Sequence, residues 1–133
     1  MKRIFIHIVP IQRTDNDTLF VYAQKNDTDA LMFPSKLREP GQSIKKVRNN
    51  LIDKLPFQEA APVSTWLYDT ASCEGIHFYY EIYLDRNNQI GNDHPQFEKI
   101  EISNIFTSPK LLNSIDLECL LHIPKIISLK APL

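Results

Sequence analysis

The chain predicts an α+β fold in which helices are laid on a mixed sheet as an α/β/α sandwich. Three observations predict it. Apolar residues run at strand period, then at helical period, then at strand period again, and end helical. One amphipathic stretch, Ser43–Leu55, carries both a start and a stop signal. The segments after it are dense in aromatic and β-branched residues, which favour a pleated, half-buried surface.

Ile4–Pro10 alternates apolar and mixed residues and reads as a first strand. The turn cluster Thr14–Thr18 and the apolar run Leu19–Ala23 complete a hairpin. After the polar connection Lys25–Asp29, Leu31–Phe33 is a brief strand closed by Pro34, and Ser35–Gln42 reads as a polar loop. Ser43 is placed to cap the helix, Ile44, Val47, Leu51, Ile52 and Leu55 recur at helical spacing, and Pro56 stops it. Val63–Tyr68 and Ile76–Leu84 are the next two strands, joined by Asp69–Gly75. Phe97–Ile102 alternates and forms a late strand after a polar loop, Asp85–Pro95. Ser108-Pro109 opens a helical stretch, with proline at the first helical position, where a missing N–H costs nothing. Ser114 offers a second start for Ile115–Ile123, ended by Pro124, and the tail Lys125–Leu133 is weakly determined.

A length of 133 residues suits one domain, 1–133, and 43% hydrophobic residues suffice for a core. A formal net charge of −1 gives no argument for nucleic acid or an anionic membrane as partner. The basic group Lys45, Lys46 and Arg48 reads as a solvated helix face. Cys73 and Cys119 lie far apart with no ligand spacing, so buried free thiols are expected. MKRIFIHIVPI lacks a small-residue cleavage site, no apolar run is long enough to span a membrane, and a cytoplasmic location is the default expectation. Three glycines, Gly41, Gly75 and Gly91, are too few and too dispersed for a dinucleotide-binding turn or a P-loop. The four histidines, His7, His77, His94 and His122, are scattered, and no serine or cysteine sits in a local nucleophile signature.

The most specific segment is Leu31–Phe57, LMFPSKLREPGQSIKKVRNNLIDKLPF. Its FPxxxxEPGxS loop followed by a helix resembles the signature of the Nudix (MutT-like) hydrolases. That signature reads Gly, five residues, Glu, seven residues, Arg-Glu, a hydrophobe, one residue, Glu-Glu, one residue, Gly. Aligned on Glu39-Pro40-Gly41, it falls on Lys36, Gln42, Asn50, Leu51, Lys54, Leu55 and Phe57. The resemblance extends through the element order over nearly the whole chain. It implies a Nudix-like domain and a cleft beside the helix, but a degenerate catalytic motif. In the family, glutamates on this helix hold magnesium against a diphosphate, and hard cations demand oxygen ligands. Leu51, Lys54 and Leu55 stand at those carboxylate positions, and leucine cannot ligate magnesium while an ammonium repels it. Asp53 is the only acid on the helix.

The resemblance therefore implies a non-catalytic domain, with no catalytic residue, no bound metal and no cofactor, that binds a nucleotide-like small molecule or a protein. Lys36, Glu39, Lys54, Trp66 and Glu98 are the candidate ligand-binding residues: two ammonium groups for phosphate, an aromatic ring for stacking, and two acids. Glu98, after His94-Pro95-Gln96-Phe97, matches the late acid that many family members use for metal, and Glu98 and Glu101 are read on one outer face of their strand. HPQFEK coincides with the core of a streptavidin-binding tag, but it is internal and fits the strand pattern. The first alternative is an active hydrolase of a nucleoside diphosphate derivative, with Mg2+ held by Glu39, Glu98 and Glu101. The second is an interaction module without a small ligand.

Overall fold

A computed structural model describes residues 3–14, 18–26, 30–56, 65–84, 96–104 and 114–120. The described strands are β1 (Ile4–Arg13), β2 (Leu19–Lys25), β3 (Leu31–Met32), β4 (Ser35–Arg38), β5 (Thr65–Ser72), β6 (Gly75–Leu84) and β7 (Phe97–Glu101). Two helices accompany them, α1 (Ile44–Asp53) and α2 (Ser114–Leu120), with a short 3-10 turn at Ile102–Asn104. All seven strands belong to one mixed sheet with the main order β3-β2-β1-β6-β5. β1 is parallel to β6 and antiparallel to β2 and β4, and β7 pairs with β2.

Side-chain alternation sorts the core into two layers. Ile6 and Ile8 of β1, Tyr22 of β2 and Tyr80 and Ile82 of β6 pack with Val47 of α1 on one face. Val9, Ile11, Val21, Ala23 and Tyr79 pack with Cys119 and Leu120 of α2 on the other. The α+β sandwich expected from the sequence is the observed architecture.

Strand β1 is buried from Ile6 to Gln12, because it lies inside the sheet with both faces covered. It is longer than its local pattern indicated and runs through Pro10. One edge of β1 serves β4 over Ile4–His7 and β2 over Ile11–Arg13, with the Ile8 amide bonded to the Pro34 carbonyl at 2.9 Å between them. Amide direction alternates along a strand, so residue 10 would aim its N–H at the same edge as Ile8, into this fork. Proline has no N–H to lose there.

Strand β4 was not anticipated: Ser35–Arg38 reads as loop from its sequence but pairs with His7–Ile4. Backbone pairing with a buried central strand makes it a strand, and no alternation of its own four side chains signals it. The turn that follows has the chemistry its sequence demands. Pro40 and Gly41 are its central residues, Gly41 has φ +89°, and the Gln42 amide donates to the Glu39 carbonyl at 3.1 Å, as in a type II turn. The Glu39 amide in turn donates to the Gln42 side chain at 3.1 Å.

Helix α1 begins as expected, with the Ser43 hydroxyl accepting from the Lys46 amide at 3.1 Å. It ends two residues before Leu55, with Lys54 as C-cap. Val47 is its one buried residue, while Ile44, Leu51, Ile52 and Leu55 are partly buried against the same cluster. The expected helix start at Ser108-Pro109, the loop 85–95 with His94, and everything from 121 on, including His122 and the expected stop at Pro124, lie outside the described residues.

Candidate functional site

A cleft of about 600 Å³ opens at the fork where β1 changes partner. It is lined by Gln24 of β2, Pro34 and Ser35 at the entry to β4, Leu51, Lys54, Leu55 and Pro56 at the end of α1, and Gln96 and Phe97 at the start of β7. Each wall follows from the pairing. Gln24 lies opposite Phe97 in the β2–β7 register, and the Lys25 amide donates to the Gln96 carbonyl at 2.8 Å, so the pairing of β2 with β7 brings both strands to the cleft, with Gln96 opposite Lys25. The α1 wall follows from helical spacing, since Leu51, Lys54 and Leu55 are three and four residues apart and share a face.

The cleft therefore presents apolar surface, one ammonium, two primary amides and a hydroxyl. No carboxylate among the described residues lines it. Among the described residues, no group of three or more His, Cys, Asp or Glu side chains could hold a metal ion. The residues at the helix positions do not fit magnesium: two are hydrocarbon and the third is a cation. Glu39, Glu98 and Glu101 do not form such a group either.

Of the residues singled out in the sequence, Lys54 lines the cleft. Lys36 is exposed on β4, opposite Ile6. Glu39 occupies the turn before α1, Glu98 is exposed on β7 opposite Ala23, and Trp66 is 56% exposed on β5. Trp66 is the cross-strand partner of Tyr80, three strand positions from β2, on the order of 14 Å at the spacing of neighbouring strands. Glu98 shares the sheet face of Ala23 and thus of α2, whereas Phe97, beside it, faces α1. Glu98 and Glu101 are three residues apart, and period two places them on opposite faces; the single-face expectation is corrected. Gln24, Ser35, Gln96 and Phe97 escaped the sequence reading. Their shared signal is register at the fork, which is not local.

A second polar cluster lies on the α2 face. His7 Nε2 and His77 Nδ1 are 2.9 Å apart, and His77 Nε2 is 2.9 Å from the Ser72 hydroxyl, which also accepts from the Glu74 amide at 3.1 Å. The rings form a ladder, Phe5 on His77 at 4.8 Å, His77 against His7 at 5.1 Å, and His7 on Tyr79 at 4.2 Å between centroids. The Tyr79 hydroxyl donates to Asp116 of α2, which also accepts from the Phe33 amide at 3.1 Å. Burial and then the neighbouring His77 push His7 down to about 3. Burial lowers His77 as well. Asp116 is pushed up to about 6 by burial, against the opposing effect of its two hydrogen bonds. Burial and the adjacent Asp116 raise Tyr79.

No family profile matches the chain, and no curated protein matches it. Solved structures do. The mutT/nudix family protein from Listeria innocua superimposes with a TM-score of 0.67 at 8% identity, over 96% of this chain and 97% of that one. The NUDIX domain of Shewanella oneidensis NrtR, crystallised with ADP ribose, gives 0.63 at 9% identity, over 96% and 89%. The chain has the Nudix hydrolase fold. The C-terminal domain of mouse MUTYH, crystallised with human PCNA, matches with a TM-score of 0.71 at 14% identity, over 96% and 91%. Among the described residues no helix is long and apolar enough to cross a membrane.

Proposed function

We propose that this Nudix-fold chain binds a small, nucleotide-like ligand in the cleft at the end of α1, without bridging metal and without hydrolysing it. One observation carries the reading: Leu51, Lys54 and Leu55 bring hydrocarbon and an ammonium to a cleft of ligand size that no carboxylate lines among the described residues. A diphosphate-cleaving Nudix site needs carboxylates there to hold magnesium, neutralise charge and help generate hydroxide. The cleft retains the features of a binding pocket, a mostly apolar lining with a few convergent polar groups. The NUDIX domain of NrtR, with its ADP ribose, supports a nucleotide-like size of ligand. In this reading Lys54 is the contact to an anionic group, and Lys36, Glu39, Trp66 and Glu98 stand outside the cleft.

Thermal-shift screening with nucleosides and nucleotides in EDTA tests this reading, because a ligand that binds only the native state raises the melting temperature by mass action. Stabilisation that survives chelation and falls in Lys54→Ala is expected. Magnesium-dependent hydrolysis, or a stoichiometric manganese site lost in Glu98→Gln, would instead establish the hydrolase. A protein-binding reading is favoured by Trp66, the exposed large hydrophobic residue among those described, and by the MUTYH domain's complex with PCNA. Silence to every nucleotide would leave that module as the better account.

A further inference from the structure

We propose that the notch at the closed end of the β5–β6 hairpin is a second binding site, which takes a small α-amino acid by its carboxylate and its ammonium. Among the described residues it shares no lining with the cleft at α1, so the two sites stand or fall separately.

Strand register builds the notch. β1 and β6 pair in parallel with Ile4 opposite Ile76, and the Ile76 amide donates to the Arg3 carbonyl at 2.8 Å, so Arg3 flanks Gly75 on one side. Ser72 is the antiparallel partner of Gly75 on the other side. Residue 75 thus stands between a guanidinium and a hydroxyl and brings no side chain of its own. A cavity of about 300 Å³, the lower end of ligand-pocket size, is lined by Arg3, Ser72, Gly75 and Glu74 of the two-residue turn. Ala71 and Cys73 add only short side chains, and the Cys73 thiol is exposed and not buried as expected.

Both flanking groups are held in place with donors to spare. Arg3 lies two residues from Phe5 and hence on its face, 5.8 Å from the centroid of its ring, and Phe5 stacks on His77. His77 in turn fixes Ser72. His7 Nδ1 is buried without a partner, and a bare acceptor costs less there than a bare N–H, so His7 donates from Nε2 to His77 Nδ1. His77 then carries its proton on Nε2 and donates to Ser72. The Ser72 oxygen accepts this bond and one from the Glu74 amide, which leaves its own O–H for a ligand. A short hydroxyl and a long guanidinium on either side of a glycine converge on one carboxylate. Arg3 and Glu74 line the same cavity, and no ion pair joins them to each other or to another described residue. The Glu74 carboxylate is therefore available to an ammonium one carbon away from the bound carboxylate.

The test is an amide-detected NMR titration of the full chain with L-alanine, propionate and ethylamine. Propionate lacks the ammonium, and ethylamine lacks the carboxylate. L-Alanine is expected to shift the Cys73, Glu74 and Gly75 amides with millimolar affinity and to leave those of Leu51 and Lys54 in place. Propionate and ethylamine should each bind about tenfold more weakly, as the loss of one charge-assisted contact predicts. Arg3→Gln should weaken L-alanine to the same degree, and Glu74→Gln should bring it down to the affinity of propionate. Both residues are exposed, and unchanged amide spectra elsewhere in the chain separate lost contact from lost fold. Propionate binding as tightly as L-alanine overturns the amino-acid assignment, as does undiminished binding to Arg3→Gln. Absence of any shift at Cys73, Glu74 and Gly75 with L-alanine overturns the site itself.

Discussion

His7 should make the stability of this fold depend on pH in a way one substitution removes. It lies on β1 between the rings of His77 and Tyr79, and its Nδ1 is buried with no hydrogen-bond partner. A buried bare acceptor costs less than a buried bare N–H, so the favoured tautomers run one way. His7 Nε2–H donates to His77 Nδ1, and His77 Nε2–H donates to the Ser72 hydroxyl. Protonating His7 puts an unpaired N–H in the core and sets a cation against an imidazole, which agrees with its displacement from 6.5 to about 3. A lowered folded-state value means the unfolded chain binds a proton that the native chain refuses. Stability from this group is complete above pH 6.5 and is lost as pH falls toward 3. At about pH 5 the loss is RT ln[(1 + 10^1.5)/(1 + 10^−2)], about 2 kcal/mol, a sizeable share of the roughly 5–15 kcal/mol of an ordinary domain.

Asp116 acts in the opposite sense. Its value rises from 3.8 to about 6, so its charged form is disfavoured in the native state and acidification relieves that penalty. By the same expression the relief at about pH 5 is about 1 kcal/mol, so Asp116 offsets part of the His7 loss in the native chain. Urea unfolding at pH 8, 7, 6 and 5 resolves them. His7→Phe keeps the ring stack and removes the titration. Whatever fixed stability it costs by losing the bond to His77, its free energy relative to the native chain should rise by about 2 kcal/mol from pH 8 to pH 5. Parallel pH profiles for the two proteins would refute the neutral, buried assignment of His7.

Two further substitutions test the fold that frames the cleft. Gly75→Ala should destabilise by about 2–3 kcal/mol in chemical denaturation, because a Cβ there would sit 2.2 Å from the Arg3 carbonyl oxygen, at φ +152°, and would disrupt the Ile76 amide bond to that carbonyl. Ser43→Ala should cost about 1 kcal/mol by removing the acceptor for the Lys46 amide, and Ser43→Thr should restore most of it.

What could be read from the sequence was what local chemistry determines. Ser43, the stripe from Ile44 to Leu55 and Pro56 act within one helix, so α1 was legible nearly to the residue. The loop Glu39–Gln42 was legible because proline and glycine each have one conformational use there. Strand β4 was not, since Lys36 and Arg38 resemble solvated loop residues until Ile6 and Ile4 are set opposite them. Gln24 and Gln96 look like polar strand ends, and only the pairing of β2 with β7 brings both to the cleft. Of the expected ligand residues, Lys54 lines the cleft because it lies on the legible helix. The placement of Lys36, Glu98 and Trp66 depends on which strands become neighbours.

Leu51 and Leu55 also explain how the end of α1 is held to the sheet. Three carboxylates gathered at one end of a short helix repel one another and the partial negative charge of the helix C-terminus, unless cations neutralise them. In this chain the helix end needs no such cation. Leu51 and Leu55 instead pack against the cluster of Ile6, Ile8, Val47 and Phe97, so hydrophobic burial holds the C-terminal turn of α1 to the sheet. The same side chains form one wall of the cleft. The apolar wall and the adhesion of the helix are thus one structural feature. The cleft wall that α1 supplies is therefore fixed by burial against the sheet, beside the ammonium of Lys54.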